Sequence, residues 1–196
     1  MARTAKIARK TNETQITVEV RLNGSGKGSA ATGVPFFDHM LDHLRVHSMI
    51  DITVNAKGDV EVDGHHTVED VGICLGKAMA EALGEKKGIT RYGAASIPMN
   101  EALAEVSLDI SGRPFVVFES PRLSGKVGEF DVELAEEFIR AFANSAGLTI
   151  HVNVRAGTNL HHIVEAIFKA VARALGQAVA PDPRLGDAAP STKGVL

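Results

Sequence analysis

His65-His66-Thr67-Val68-Glu69 and His161-His162-Ile163-Val164-Glu165 carry one pattern, His-His-x-Val-Glu, repeated at a constant offset of 96 positions. In both copies the residues that follow recur at helical spacing and stop at the same tripeptide, Ala82-Leu83-Gly84 and Ala174-Leu175-Gly176. Glycine after the last periodic residue is a helix stop. A pattern that returns with its helix and its stop marks an internal duplication, which governs every other assignment along the chain.

Working outward from the first copy, Thr14 to Leu22 alternates apolar and polar residues and predicts a strand. Asn23 to Gly28 predicts a glycine-rich hairpin turn into a second short strand over Ser29 to Thr32. Pro35 opens a helix whose apolar positions run from Phe36 to His47, Met49 to Ala56 predicts a third strand, and Thr67 to Leu83 a helix. Around the second copy the order returns: strands over Ala102 to Ile110 and Phe115 to Glu119, a helix over Asp131 to Ala146, a strand over Leu148 to Arg155, and a helix over Leu160 to Leu175. The expected fold class is therefore α+β, built from duplicated strand-strand-helix-strand-helix units. Residues 1–92 form the first repeat, 93–180 the second and 181–196 a tail. Each unit alone would bury little surface, so the two are expected to pack as one catalytic body. The tail, with three prolines and no periodicity, is expected to be irregular.

Composition narrows the function classes. Net charge is −3 and there is no Trp and one Tyr, so nothing suggests nucleic acid or an anionic membrane as partner. Cys74 is the only cysteine, which excludes an internal disulfide and fits a reducing compartment. Met1-Ala2-Arg3-Thr4-Ala5-Lys6 lacks the apolar core of a signal peptide, and no apolar run is long enough to span a bilayer. A cytoplasmic protein is expected.

Of eight histidines, seven fall into three groups: His39/His43/His47, His65/His66 and His161/His162. Residues four apart share a helix face, so His65 can converge with Glu69 and His161 with Glu165. His66 and His162 are rotated from their neighbours by about 100°, so one motif cannot easily aim both imidazoles at one ion. Two ions, with each motif donating a His and the Glu to one and its other His elsewhere, is the economical arrangement. An imidazole and carboxylate shell suits a borderline divalent ion such as Mn, Fe, Co or Zn. A single His-His pair is as readily surface decoration; its recurrence in both halves favours the metal. The stripe His39/His43/His47 reads equally as a half-solvated helix face or as part of the site.

Five segments in register then resemble one family, the imidazoleglycerol-phosphate dehydratases: Phe36-Phe37-Asp38-His39-Met40-Leu41, Asp63 to Asp70, Ser111-Gly112-Arg113-Pro114, His161 to Ala166, and Pro190-Ser191-Thr192-Lys193-Gly194. The likeness runs from about Arg9 to the C-terminus. It implies dehydration of imidazoleglycerol phosphate to imidazole acetol phosphate in histidine biosynthesis. It implies a duplicated α+β fold of the ribosomal protein S5 domain 2-like kind, each half a four-stranded sheet with two helices. It also implies Mn(II), two ions per active site at subunit interfaces of a 24-subunit shell.

Carried over, the metal ligands are His39, His65, His66, Glu69, His161, His162 and Glu165, with Glu137 standing where many members have an eighth ligand, a His. Phosphate contacts map to Arg91, Arg113, Lys169, Ser191 and Lys193, with His47 a further candidate. Glu13 matches a Glu that handles the glycerol hydroxyls. Asn100 departs from a commoner Asp, and His43 from a frequent Gln.

The chemistry asks for these residue types. The proton to be removed sits on carbon that no carbonyl acidifies, so the substrate's imidazole must serve as electron sink, which a Lewis acid on the ring nitrogens favours. Glu165 or Glu69 is the expected proton shuttle, with Glu13 by the hydroxyls. Neither a dinucleotide fingerprint nor a phosphate-binding Gly-rich loop occurs, so no organic cofactor is implied. Lys193 in the tail fits a lid closing over phosphate. Two rivals share part of this inventory: a dinuclear metallohydrolase of phosphate esters, and a metal-storage shell, for which carboxylates would outnumber imidazoles.

Overall fold

The structure is a computed structural model, and it describes residues 3–120, 123–194 and 196; expectations touching Met1, Ala2 and Val195 lie outside these. The chain runs β1 (Thr4–Lys10), β2 (Thr14–Arg21), β3 (Gly28–Ala31), α1 (Pro35–Ser48), β4 (Asp51–Gly58), α2 (His65–Leu83), and then β5 (Tyr92–Met99), β6 (Ala102–Asp109), β7 (Phe115–Glu119), β8 (Lys126–Val127), β9 (Phe130–Asp131), α3 (Leu134–Ala146), β10 (Thr149–Ala156) and α4 (Leu160–Val179). Two four-stranded sheets have orders β1-β2-β4-β3 and β5-β6-β10-β7, and the small hairpin β8-β9 is a third. In each large sheet three strands are antiparallel and the last, β3 or β7, lies parallel to its neighbour.

Alternation makes each sheet one-sided. Ile16, Val18 and Val20 of β2 are buried while Gln15, Glu19 and Arg21 are not. The helices cover the buried faces, α2 on β1 and β2 and α4 on β5 and β6. Across the duplication α1 packs on α4, and α2 on α3, so one hydrophobic core runs through both halves. Pro35 sits at the start of α1, where its missing N–H costs nothing.

Three expectations are corrected. The first half holds three strands before its first helix and the second five, β8 and β9 included; the edge strands β1 and β5 bury only Ala5 and Gly93, too little apolar alternation to read. The glycine-rich stretch after β2 is not a hairpin turn: β3 crosses to the far side of β4 and pairs with it in parallel. Helix α3 starts at Leu134 rather than Asp131, because Asp131 pairs with Lys126 in the β8-β9 hairpin. The tail is irregular yet tied down, with Gly88 N–H donating to Ala188 O, Asp182 N–H to Gly88 O, and the Arg91 guanidinium to Pro190 O.

The halves superpose by position. Helix α1 ends on Met49 and α3 on Gly147, both left-handed and 98 positions apart, so Glu137 stands at the place of His39 and Ala141 at that of His43. Strands β2 and β6 pair Arg21 with Asp51 and Asp109 with Thr149, an offset of 88 that equates Glu13 with Glu101.

Candidate metal centre

Helices α1 and α4 meet at a cluster of donors. His39, His43 and Glu165 offer three ligand atoms within 4.8 Å of one another, the only such group among the described residues. His39 and His43, one turn apart on α1, bring their Nε2 atoms 3.2 Å from each other. These nitrogens lie 3.6 and 3.4 Å from Glu165 Oε2, and His161 Nε2, one turn before Glu165 on α4, lies 3.1 Å from the same oxygen. The other oxygen, Oε1, accepts from Lys169 Nζ at 2.5 Å.

The electrostatics suit a cation. Glu165 is buried, which by itself would raise its pKa; the Lys169 hydrogen bond, the charge of His43 and the His161 hydrogen bond outweigh that and hold it at about 2. Burial lowers the pKa of His43 to about 4, with Glu165 opposing and His39, Lys169 and His47 adding to the fall. At neutral pH the corner therefore presents a neutral His43 imidazole and a buried carboxylate whose negative charge a Lys ammonium balances. The Lys169 ammonium sits on Oε1 and leaves Oε2 to the three imidazoles, and mixed imidazole and carboxylate donors fit a borderline divalent ion.

The equivalent corner between α2 and α3 differs. His65, Glu69 and Glu137 are all partly buried, and no hydrogen bond joins them among the described residues. Helix α2 carries Gly72 and Gly76 here: a Cβ on Gly72 would come within 2.9 Å of Ala141 Cβ and Phe138 O, and one on Gly76 within 2.5 Å of Phe142 O. The helices touch backbone to side chain, leaving no room for an imidazole at position 141.

The second imidazole of each motif points elsewhere. His162 Nδ1 lies 2.7 Å from Glu101 Oε2, whose other oxygen accepts from the N–H groups of Thr158 and Asn159. Those backbone bonds, that of Asn159 first, together with the His162 contact, hold Glu101 at about 2. Asn159 in turn caps α4, accepting from His161 N and His162 N. His66 Nδ1 lies 3.0 Å from Asp59 Oδ2, while Glu13 Oε1 stays 3.9 Å from His66 Nε2.

The expected phosphate contacts divide. Arg91, Arg113, Ser191 and Lys193 line one cavity of about 730 Å³ with Tyr92 and the tail. Arg91 is committed there, gripping Asp109 through Nε and Nη2, donating to Pro190 O and lying 4.7 Å over the Tyr92 ring. The side chains of Arg113 and Lys193 make no hydrogen bond or ion pair among the described residues. Lys169 and His47 lie elsewhere, in the α1-α4 corner, where burial and then Lys169 lower the His47 pKa.

Comparison with known proteins decides the family. The imidazoleglycerol-phosphate dehydratase family model matches residues 32–175. This chain belongs to that family. The dehydratase of Ruegeria pomeroyi is 56% identical over 194 residues, covering 99% of this chain and all of the relative. That of Symbiobacterium thermophilum is 56% identical over 195 residues, covering 99% and 93%. Two crystal structures of imidazoleglycerol-phosphate dehydratases share the fold. The Staphylococcus aureus enzyme has a TM-score of 0.82 at 40% identity, over 91% of this chain and 99% of that one. The Pyrococcus furiosus enzyme, solved in complex with (S)-C348, has 0.83 at 38%, over 97% and 100%. Membership makes the chain a hydro-lyase, and the relatives' name belongs to histidine biosynthesis.

Within the dehydratase frame, two groups escaped the sequence reading. His43 joins the cluster although only His39 was carried over as a ligand; the four-residue stripe on α1 was its signal. Glu101 touches His162 from 61 positions away, so no local pattern links them.

Proposed function

We propose that this chain removes water from imidazoleglycerol phosphate to give imidazole acetol phosphate, and that the reaction depends on divalent metal, Mn(II) foremost, two ions per active site. The single observation that carries the reading is the cluster of His39, His43 and His161 around the buried Glu165. Beside it, His65, His66, Glu69, Glu137 and His162 supply the remaining donors. Membership in a hydro-lyase family decides against the metallohydrolase and the storage shell.

A bound divalent ion supplies Lewis acidity to the substrate's imidazole, the electron sink this elimination needs. The chain's own residues do the rest. Glu165, held ionised by Lys169, is placed to take a proton, and Glu69 is its counterpart in the other motif. Glu13, more than half exposed and 3.9 Å from His66 Nε2, handles the glycerol hydroxyls. Arg113, Ser191 and Lys193 bind the phosphate through charge-assisted bonds, and Arg91 keeps the tail in place above them. Residues 181–196 act as the lid, and the two repeats, 1–92 and 93–180, act as one catalytic body.

Distance along α4 supports assembly. Glu165 lies near the start of that helix, whereas Arg91 N–H bonds to Ala178 O near its end. Thirteen residues at 1.5 Å each put the metal corner and the phosphate cavity roughly 20 Å apart in one chain. A three-carbon phosphate arm on an imidazole cannot span that, so one active site draws on more than one copy. This favours the 24-subunit shell; among the described residues no helix is long and apolar enough to cross a membrane. The buried free Cys74 fits the cytoplasm.

The deciding experiment assays chelator-stripped protein with and without Mn(II) while light scattering follows its mass. Turnover and the large particle should vanish together and return together with Mn(II). Full turnover at negligible metal content would end the metal reading, and an unchanged mass would show that the ions do not hold the subunits together.

A further inference from the structure

The outward imidazoles His66 and His162 are held by carboxylates that neither motif contains. A carboxylate accepts hydrogen bonds and cannot donate, so an imidazole nitrogen facing one carries the proton. At His162 the partner is Glu101 on the β5-β6 turn, at 2.7 Å from Nδ1. At His66 the partner is Asp59, just after β4, at 3.0 Å from Nδ1. Gly58 allows this approach, since a Cβ there would stand 2.1 Å from Thr67 Oγ1 in the first turn of α2. Each ring is thus fixed with Nδ1–H on a carboxylate and the lone pair of Nε2 turned away from it; at His162 that lone pair accepts from Asn100 Nδ2 at 3.2 Å, which favours the same tautomer.

The duplication makes the choice of partner informative. Glu13 and Glu101 occupy equivalent turns, yet only Glu101 is engaged, with both oxygens used. Glu13 is more than half exposed and stays 3.9 Å from His66 Nε2, on the ligand side of the ring. The segment between β4 and α2 is longer than that between β10 and α4, and it is this segment that supplies Asp59.

We propose that Asp59 and Glu101 are positioning residues that set the tautomer and aim of His66 and His162, and that Asp59 performs at His66 the task Glu101 performs at His162, releasing Glu13, the duplicate of Glu101, to the substrate. The inference rests on the metal reading above only in its consequence for ion binding; the tautomers are a property of the metal-free chain. Metal-ligating imidazoles held this way bind more tightly, and losing the outer partner weakens binding by ~10–100-fold.

The test uses full-length protein with ¹⁵N-labelled histidine. In metal-free protein, at a pH where both rings are neutral, long-range ¹H–¹⁵N correlation should show His66 and His162 protonated on Nδ1. Protonation on Nε2, or an even mixture, overturns the proposal without any variant having to fold. Asp59→Ala should release the His66 tautomer and Glu101→Ala combined with Asn100→Ala that of His162, whereas Glu13→Gln should leave His66 unchanged; a shift of His66 in Glu13→Gln overturns the exchange of tasks. In Mn(II) titrations each alanine variant should lose ~10–100-fold in affinity at one class of site, with Asp59→Asn and Glu101→Gln losing less because an amide oxygen still accepts. Undiminished affinity in both alanine variants overturns the positioning role. If the unaltered protein binds no Mn(II), the metal reading falls while the tautomers still decide the positioning.

Discussion

The α1-α4 corner and the α2-α3 corner descend from one duplicated plan, yet only the first gathers its donors within one chain. At the first, His39 and His43 of α1 face His161 and Glu165. At the second, Glu137 and Ala141 of α3 occupy the equivalent positions opposite His65 and Glu69. The cause is helix separation. Helix α2 has Gly72 and Gly76 where α4 has Phe168 and Ala172, so α3 settles onto bare backbone and the space filled by an imidazole at His43 is closed. Two copies of one motif thus make unequal sites, because the partner helix decides what can be presented to them.

Removing the charge at the richer corner should have the largest effect. Glu165→Gln is expected to lower kcat by ~10²–10⁴-fold, the range for a positioned proton-transfer group. Glu137→Ala should do much less, since no second donor from α3 stands beside it. Equal losses by steady-state kinetics would erase the distinction between the corners.

The loops after β2 and β6 differ in charge at another equivalent pair. Asp51 accepts from Ser25 N and Lys27 N, where the neutral Thr149 bonds Arg113 O. An anion cavity is therefore expected only in the second half. Arg113→Ala and Lys193→Ala should each raise KM about tenfold or more, consistent with a charge-assisted contact of ~1.5–3 kcal/mol. Unchanged KM in both would move the phosphate to the Lys169 and His47 side.

Packing can be tested directly. Gly76→Ala should destabilise by ~1–3 kcal/mol, because its Cβ meets the backbone of α3 and neither helix can yield cheaply. Ala172→Gly at the other corner should cost about 1 kcal/mol through helix propensity alone. Chemical denaturation distinguishes them, and a tolerated Gly76→Ala would refute the close approach.

Acid should also separate the corners. The folded pKa of His43 is lowered to about 4 from the ordinary 6.5, so between those values the unfolded chain binds a proton the native one refuses. Stability of metal-free protein therefore falls as pH drops from 6.5 towards 4. Glu165, lowered to about 2 from 4.5, withdraws its own contribution only below 4.5. His43→Ala should flatten the first decline and weaken the second, since His43 helps to hold Glu165 down; an unaltered slope between 6.5 and 4 would mean that His43 titrates normally.

The smallest effect concerns the helix ends. Met49 holds a left-handed conformation at φ 62 where its counterpart is Gly147 at φ 68. Relieving it with Met49→Gly should stabilise by about 1 kcal/mol, and Gly147→Ala should cost a similar amount. Thermal melts giving the same sign for both would remove this difference between the halves.

The duplication, the α+β class and most helices were legible because their signals are local: a five-residue motif repeated, apolar positions at helical spacing, proline at the start of α1; Gly176 misled as a stop, since α4 runs through it to Val179. The family, too, followed from short motifs in register. Edge strands β1 and β5 were not legible, since burying only Ala5 and Gly93 leaves almost no apolar alternation. Nor could a turn rich in glycine reveal that β3 crosses β4 to pair in parallel, because strand order depends on contacts far along the chain.

At the candidate site, sequence alone determined which residues could be donors and that each motif splits its two imidazoles by a helical rotation. Tertiary structure decided which donors meet. His43 joined Glu165 because α1 packs on α4, Lys169 settled on the same carboxylate, and Asp59 and Glu101 reached His66 and His162 from separate loops. The physical reason is range. Helical spacing fixes direction within a turn or two, whereas a donor cluster a few ångströms wide is made by the packing of segments more than a hundred residues apart.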